Sequence, residues 1–270
     1  MAETHVRRRD LDEAAAILAM VDELGGAPLP QLTDTDLCVF SDTLATVLDS
    51  DVWNAWLALP DEDRVRLADL ARGFLVSRRL LRVAPVPSTS GDGPGMHQGL
   101  RIQPKLAFIL AARQSPSFVG ICSVPGVAQP SAPRLFGIAD ETRTTPTLLM
   151  EQVSERQVPV FGHIRDYGLL LPERAAKVLA TWMAGTLRDP AHSACVLALF
   201  THPANAAHSA DAPQQPPTVE RLTVRGSSGG GPLRLEHLRP DGTYVQRAGL
   251  DEPALAALIA PALAAAAAPR

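Results

Sequence analysis

The sequence predicts an α+β fold: two quasi-repeated antiparallel β-meander-plus-helix halves preceded by an N-terminal helical region. Three observations predict it. From Pro146 to Ala184 the chain runs through two extended apolar stretches around a polar break, then an amphipathic helix. A similar succession returns from Pro232, with Leu233 to Glu236, Thr243 to Gln246 and a helix opened by Asp251-Glu252-Pro253. Between the two copies, five pieces match in order at a separation of about 80 residues.

Taken in order, residues from about 10 to 24 place Leu11, Ala15, Leu18 and Val21 on one helical face. Gly25-Gly26, Pro28 and Pro30 then stop that helix. Thr33 or Asp34 caps a second helix through Leu37, Phe40, Leu44 and Leu48. A short helical piece follows with Trp53, Trp56 and Leu57. Asp61 after Pro60 is an N-cap for a longer helix that ends in Arg78-Arg79-Leu80-Leu81-Arg82-Val83, where cations suit the dipole. Residues 88–99, rich in Ser and Gly, form a linker, so the chain divides into a helical region over 1–87 with a winged-helix order, the linker, and two halves over 100–190 and 191–270.

In the first half, Pro104 opens a helix through Leu106, Ile109 and Leu110. Ser117 to Val124, Arg134 to Ala139, Leu148 to Glu151 and Val158 to Phe161 are strands, and Glu173 to Leu187 is a helix. In the second, Ala194 to Phe200, Val219 to Arg225, Leu233 to Glu236 and Thr243 to Gln246 answer them, and Ala254 to Ala268 is a terminal helix holding Pro261. Loops this short force antiparallel pairing, because a parallel crossover needs a dozen residues or more. Each helix offers an apolar stripe to its meander: Ala176, Leu179, Ala180 and Met183 in one, Leu255, Leu258, Ile259 and Leu263 in the other.

Composition excludes several classes. A formal net charge of −4 argues against nucleic acid or an anionic membrane as the main partner. No run approaches a membrane span, and Asp10, Asp12 and Glu13 after Arg7-Arg8-Arg9 argue against an export signal. Cys38, Cys122 and Cys195 are odd in number and lie in apolar runs, which fits reduced, buried thiols and a cytoplasmic protein.

Reactive constellations are weak. Gly226-Ser227-Ser228-Gly229-Gly230 has the spacing of a nucleophile elbow, but a strand-like run follows it instead of a helix, so it is a hairpin turn. His192, Cys195, His202 and His208 match no zinc-finger spacing and are structural or loop residues. Asp61-Glu62-Asp63 and Asp140-Glu141 are solvated acids. There is no P-loop and no dinucleotide-binding glycine pattern, so no catalytic residue, metal or cofactor is expected.

The order of elements resembles the EspG family of cytosolic chaperones for type VII secretion. The resemblance lies in a helical region ending in Phe74-Leu75-Val76-Ser77-Arg78-Arg79-Leu80-Leu81, an entry at Leu100-Arg101-Ile102-Gln103-Pro104, and two related halves closed by a C-terminal helix. It covers most of the chain from about residue 32. It implies a non-enzymatic adaptor that binds a helical, secreted protein partner. From the residues themselves, long Pro-rich loops without a reactive centre point to a binding protein whose contacts lie on loops. The turn holding Asp140, Glu141, Arg143 and Thr144, and the loop from Pro203 to Pro217, are the candidate contact surfaces. The alternative is a transcription regulator. Its DNA-reading helix would carry Arg64, Arg66, Arg72, Arg78, Arg79 and Arg82, with acids interleaved among them.

Overall fold

The computed structural model describes residues 8–40, 50–87, 96–127, 131–138, 143, 145–201, 217–226 and 231–268. In chain order the elements are α1 (Arg8–Leu24), β1 (Gly26–Thr33), α2 (Asp34–Cys38), α3 (Ser50–Leu57), α4 (Asp61–Ser77), β2 (Leu81–Pro87), β3 (Met96–Ile102), α5 (Pro104–Gln114), β4 (Phe118–Ser123), β5 (Arg134–Ile138), β6 (Thr147–Val158), β7 (Gly162–Leu170), α6 (Pro172–Thr186), β8 (Ala194–Thr201), β9 (Thr218–Arg225), β10 (Leu233–Leu238), β11 (Tyr244–Leu250) and α7 (Glu252–Ala267). The fold class is α+β.

Nine strands form one antiparallel sheet in the order β1-β7-β6-β5-β4-β8-β9-β10-β11, and β2 pairs with β3 in a separate hairpin. Each run of four consecutive strands is a meander followed by a helix: β4 to β7 by α6, and β8 to β11 by α7. The meanders join through β4 and β8, from Phe118 opposite Thr201 to Ser123 opposite Val196. That pairing makes one continuous sheet of the two meanders.

One face of the sheet is covered by α6 and α7. Phe118, Cys122, Leu135, Leu148, Met150, Cys195, Leu197, Leu199, Leu222, Val224, Leu233 and Leu235 meet Ala175, Ala176, Leu179, Ala180 and Met183 of α6 and Leu255, Ile259 and Leu263 of α7 in a single core. The alanines of both helices let them approach each other and the sheet closely. Pro261 removes a helical N–H, and it faces solvent. Pro172 stands at N1 of α6 and Pro253 at N2 of α7, where the missing donor costs nothing. Asp251 caps α7 by accepting from the Ala254 N–H at 2.9 Å.

The opposite face has its own core, built from Ile17, Val21, Leu29, Leu32, Leu75, Leu106, Ile109, Phe136, Leu149, Tyr167 and Leu169. It comprises α1, α4 and α5 laid over β1, β7, β6 and β5.

The N-terminal region departs from a purely helical reading. After Gly25-Gly26, residues 26–33 are an edge strand on β7, with a register shift between Leu29 and Leu32. Two prolines are tolerated there because an edge strand has one unpaired side. Thr33, not Asp34, caps α2. Its hydroxyl accepts from Asp36 N at 3.1 Å, while the Asp36 carboxylate accepts from Thr33 N at 2.8 Å. Pro60 holds the cap position of α4 and offers no acceptor, so Asp61 is its first helical residue. The helix stops at Ser77, earlier than the run of cations suggests. Arg79 turns left-handed (φ 59°), and the N–H groups of Arg79 and Leu80 close on the carbonyls of Val76 and Leu75 at 2.9 and 2.8 Å. Leu81 then begins a strand. Residues 96–99, read from sequence as linker, belong to β3 and pair with β2; residues 88–95 lie outside the described residues.

Candidate functional site

Of the four sequence-predicted contact residues, Asp140, Glu141 and Thr144 lie outside the described residues. Arg143 is described, and its guanidinium bonds the Asp22 carboxylate on α1. Its side chain is 14% exposed, so it fastens its loop to α1 more than it projects to solvent. The Pro203 to Pro217 loop also lies outside the described residues, Pro217 excepted. Its flanks, Thr201 and Thr218, are paired across β8 and β9. Phe118, opposite Thr201, sits beside Gly137, so Ile138 and Thr201 leave the sheet at the same end. Both predicted surfaces therefore spring from one end of the sheet.

The other motifs resolve as follows. Gly226 is described and residues 227–230 are not; Gly226, Gly231 and Gly249 line a shallow cavity of about 320 Å³ with Arg188 and the start of α7. His192 lies 3.2 Å from the Thr186 carbonyl and 4.0 Å from Asp189, while Cys195 is fully buried in the first core. His202 and His208 lie outside the described residues. Among the described residues no group of three or more His, Cys, Asp or Glu is placed to hold a metal ion, and no helix is long and apolar enough to cross a membrane. On α4, Arg64 pairs with Asp61, Arg66 lies within 3.7 Å of Glu62 and Arg72 is 2.9 Å from Asp69, while Arg78, just past its end, is 3.8 Å from Asp36 on α2. The interleaved acids thus neutralise the arginines of that helix one by one.

Two arrangements were not foreseen from sequence. The first is a buried ionic chain. Arg165 on β7 reaches Asp34 Oδ1 with its Nε at 2.7 Å and Glu151 Oε1 with its Nη1 at 2.8 Å. Arg113, from the last turn of α5, pairs with the other Glu151 oxygen and lies over the Phe136 ring at 5.2 Å. Asp34 also accepts from the His163 backbone N–H at 2.9 Å, with His163 Nδ1 at 3.2 Å. Glu151 is 0% exposed, and Arg113 and Arg165 are 1% exposed. Arg134, its side chain 29% exposed, lies 3.8 Å from Glu151 Oε1 as well, so three arginines surround two carboxylates and the cluster reaches the surface at that arginine. It locks α2 and α5 to the sheet. Strand parity signals it: Glu151 and Arg165 each fall in step with buried residues, Leu149 on β6 and Tyr167 and Leu169 on β7.

The second arrangement is an open face. α1, α4 and α5 cover only the first half of their side of the sheet. On the second half, cross-strand pairing aligns Ile121 with Ala198, Val119 with Phe200, Ser123 with Val196 and Phe200 with Val219. Further out, Thr223 lies opposite Glu236, Arg221 opposite Leu238 and Leu238 opposite Tyr244. Val119, at the border, packs against the second core, and no described helix lies over the others. Ile121, Val219, Leu238 and Tyr244 are 36% to 56% exposed, and Val196, Ala198 and Phe200 are half-buried. Arg221, Arg225 and Arg234 stand on this face, and all three are exposed. It is a broad apolar strip edged with positive charge.

No family model, curated protein or solved structure matches the chain.

Proposed function

We propose that the chain is a non-enzymatic, cytoplasmic binding protein, a chaperone-like adaptor that holds a helical segment of another protein. The observation that carries this reading is the open half-face: α1, α4 and α5 lie over one end of the sheet, and among the described residues no helix lies over the same side of β8 to β11. A sheet face with that much apolar surface is stable when another layer covers it. Covering roughly 400 Å² of it would contribute about 10 kcal/mol before the costs of association are deducted. The buried ionic chain stiffens the other half and makes it a rigid base for such a surface.

The same reading takes the two meanders as copies of one ancestral sheet-plus-helix unit. The order of strands and the position of a helix after each fourth strand support it. It also extends the resemblance to the type VII secretion chaperones, whose partner would be a secreted helical protein. The neutralised arginines of α4 leave little net charge for a phosphate backbone, which ranks a DNA-binding regulator second.

The test is capture of a partner from the native host by the full chain, by an Ala198→Trp variant and by a variant lacking residues 203–216. Ala198 lies mid-face, so a Trp there obstructs docking while the melting temperature stays within a few degrees. A partner retained by the wild type and lost from both variants is the expected result. Identical sets of retained proteins from all three would overturn the adaptor reading.

A further inference from the structure

We infer that the open face takes an acidic amphipathic helix, an assignment that rests on the adaptor reading and names the chemistry of the partner. The register supplies the geometry. Ile121, Ala198, Val196 and Phe200 form an apolar strip across β4 and β8, and Arg221, Arg225 and Arg234 lie along one flank of it on β9 and β10. A single carboxylate from these strands shares that flank. Glu236 is 3.1 Å from Arg225 and 3.8 Å from Arg234, so one negative charge is divided between two cations. Arg221 has no carboxylate partner among the described residues. This local positive excess runs against a chain whose net charge is −4.

Charge decides among the possible occupants. A second copy docking face to face across a two-fold axis would bring the same arginines together, and like charges at an interface cost several kcal/mol. Residues 202–216, which connect β8 to β9, carry one acid, Asp211, and cannot complement three arginines. A partner with carboxylates beside its apolar stripe satisfies both parts of the surface. A helix is the form that fits, because helices cover the sheet's other face and one end of this one. Its apolar residues at i, i+3, i+4 and i+7 would seat on the Ile121–Ala198–Phe200 strip, with Glu or Asp along the adjoining row meeting the arginines.

The experiment uses the full chain and two designed helical peptides of about 20 residues, long enough to hold a helix. They share one Leu/Ala stripe and differ only in carrying Glu or Lys along its flank. Binding is read by fluorescence anisotropy at low and high salt. The Glu peptide is expected to bind about tenfold tighter or better, with the advantage shrinking as salt rises. In Arg221→Glu/Arg225→Glu the preference should pass to the Lys peptide, and Ala198→Trp should weaken both. If the two peptides bind equally, or the reversed variant keeps the original preference, while Ala198→Trp still blocks both, the acidic chemistry is refuted and the docking face stands. If neither peptide binds, or Ala198→Trp changes nothing, the face is not a docking surface, and both readings fall.

Discussion

Arg165 Nε lies 2.7 Å from Asp34 Oδ1, across 131 positions of sequence. The bond fixes the first residue of α2 to the middle of β7, in a place where the guanidinium has no water to turn to. Removing one charge from such a chain should cost far more than removing a matched pair. Glu151→Gln leaves two buried guanidinium groups without their shared carboxylate, and a loss of about 3–5 kcal/mol in urea unfolding is expected. Arg113→Met/Glu151→Met withdraws a cation with an anion, while Arg165 keeps Asp34. The double variant should be more stable than the single one, and the reverse order would show that the unpaired Arg113 charge is not what destabilises the single variant.

Among the described residues, two other than glycine adopt left-handed backbone: Arg79 at the end of α4 (φ 59°) and Val160 in the β6–β7 turn (φ 72°). A β-branched side chain is the worse fit. Arg79→Gly and Val160→Gly should each raise stability by about 1 kcal/mol, since both side chains are exposed and lose little packing. Gly162 in the same turn (φ 79°) gives the opposite case. A Cβ there would lie 2.6 Å from Asp34 Oδ2, so Gly162→Ala should lower the urea midpoint and disturb the His163–Asp34 contact as well.

Burial raises the pKa of all three thiols above the ordinary value of 9.0. Cys38 is pushed up to about 12, with the Asp34 carboxylate adding to the effect, Cys195 to about 11, and Cys122 upward as well. Each group holds its proton more tightly when folded. Its contribution to stability is therefore complete below pH 9.0 and declines as pH climbs toward 11 and 12. The slope should reach at most about 1.4 kcal/mol per pH unit for each thiol. Urea midpoints measured between pH 8 and pH 11 should fall less in Cys195→Ala than in the wild type. At pH 8 a thiol reagent should modify the three cysteines only as fast as the protein unfolds; rapid labelling of the native chain would contradict their burial.

Much of the architecture was legible in the residues because it is locally encoded. The period-2 runs of β4 to β6 and β8 to β11, the prolines opening α5, α6 and α7, and the Asp251 cap each act within a few residues. The strand expected over Val158 to Phe161 is instead the turn between β6 and β7, and β7 itself runs over Gly162–Leu170. β1 was not legible. Gly26, Pro28 and Pro30 signal a break, and only pairing with β7 makes an edge strand of them. The early stop of α4 was hidden for a similar reason: a cationic run suits a helix end, and a left-handed arginine closed it sooner. Of the expected contact turn, Arg143 is the described member, and its bond to Asp22 could not be read from a stretch 121 residues away.

By itself the sequence determined the fold class and, from α5 onward, most of the succession of strands and helices. These depend on periodicity and turn chemistry, which are properties of neighbouring residues. Tertiary structure alone decided that the two meanders join at β4 and β8, that Asp34, Glu151, Arg113 and Arg165 meet in one buried cluster, and that among the described residues no helix lies over one side of β8 to β11. Those are relations between residues far apart in the chain, and the free energy that selects them exists only once the layers have packed.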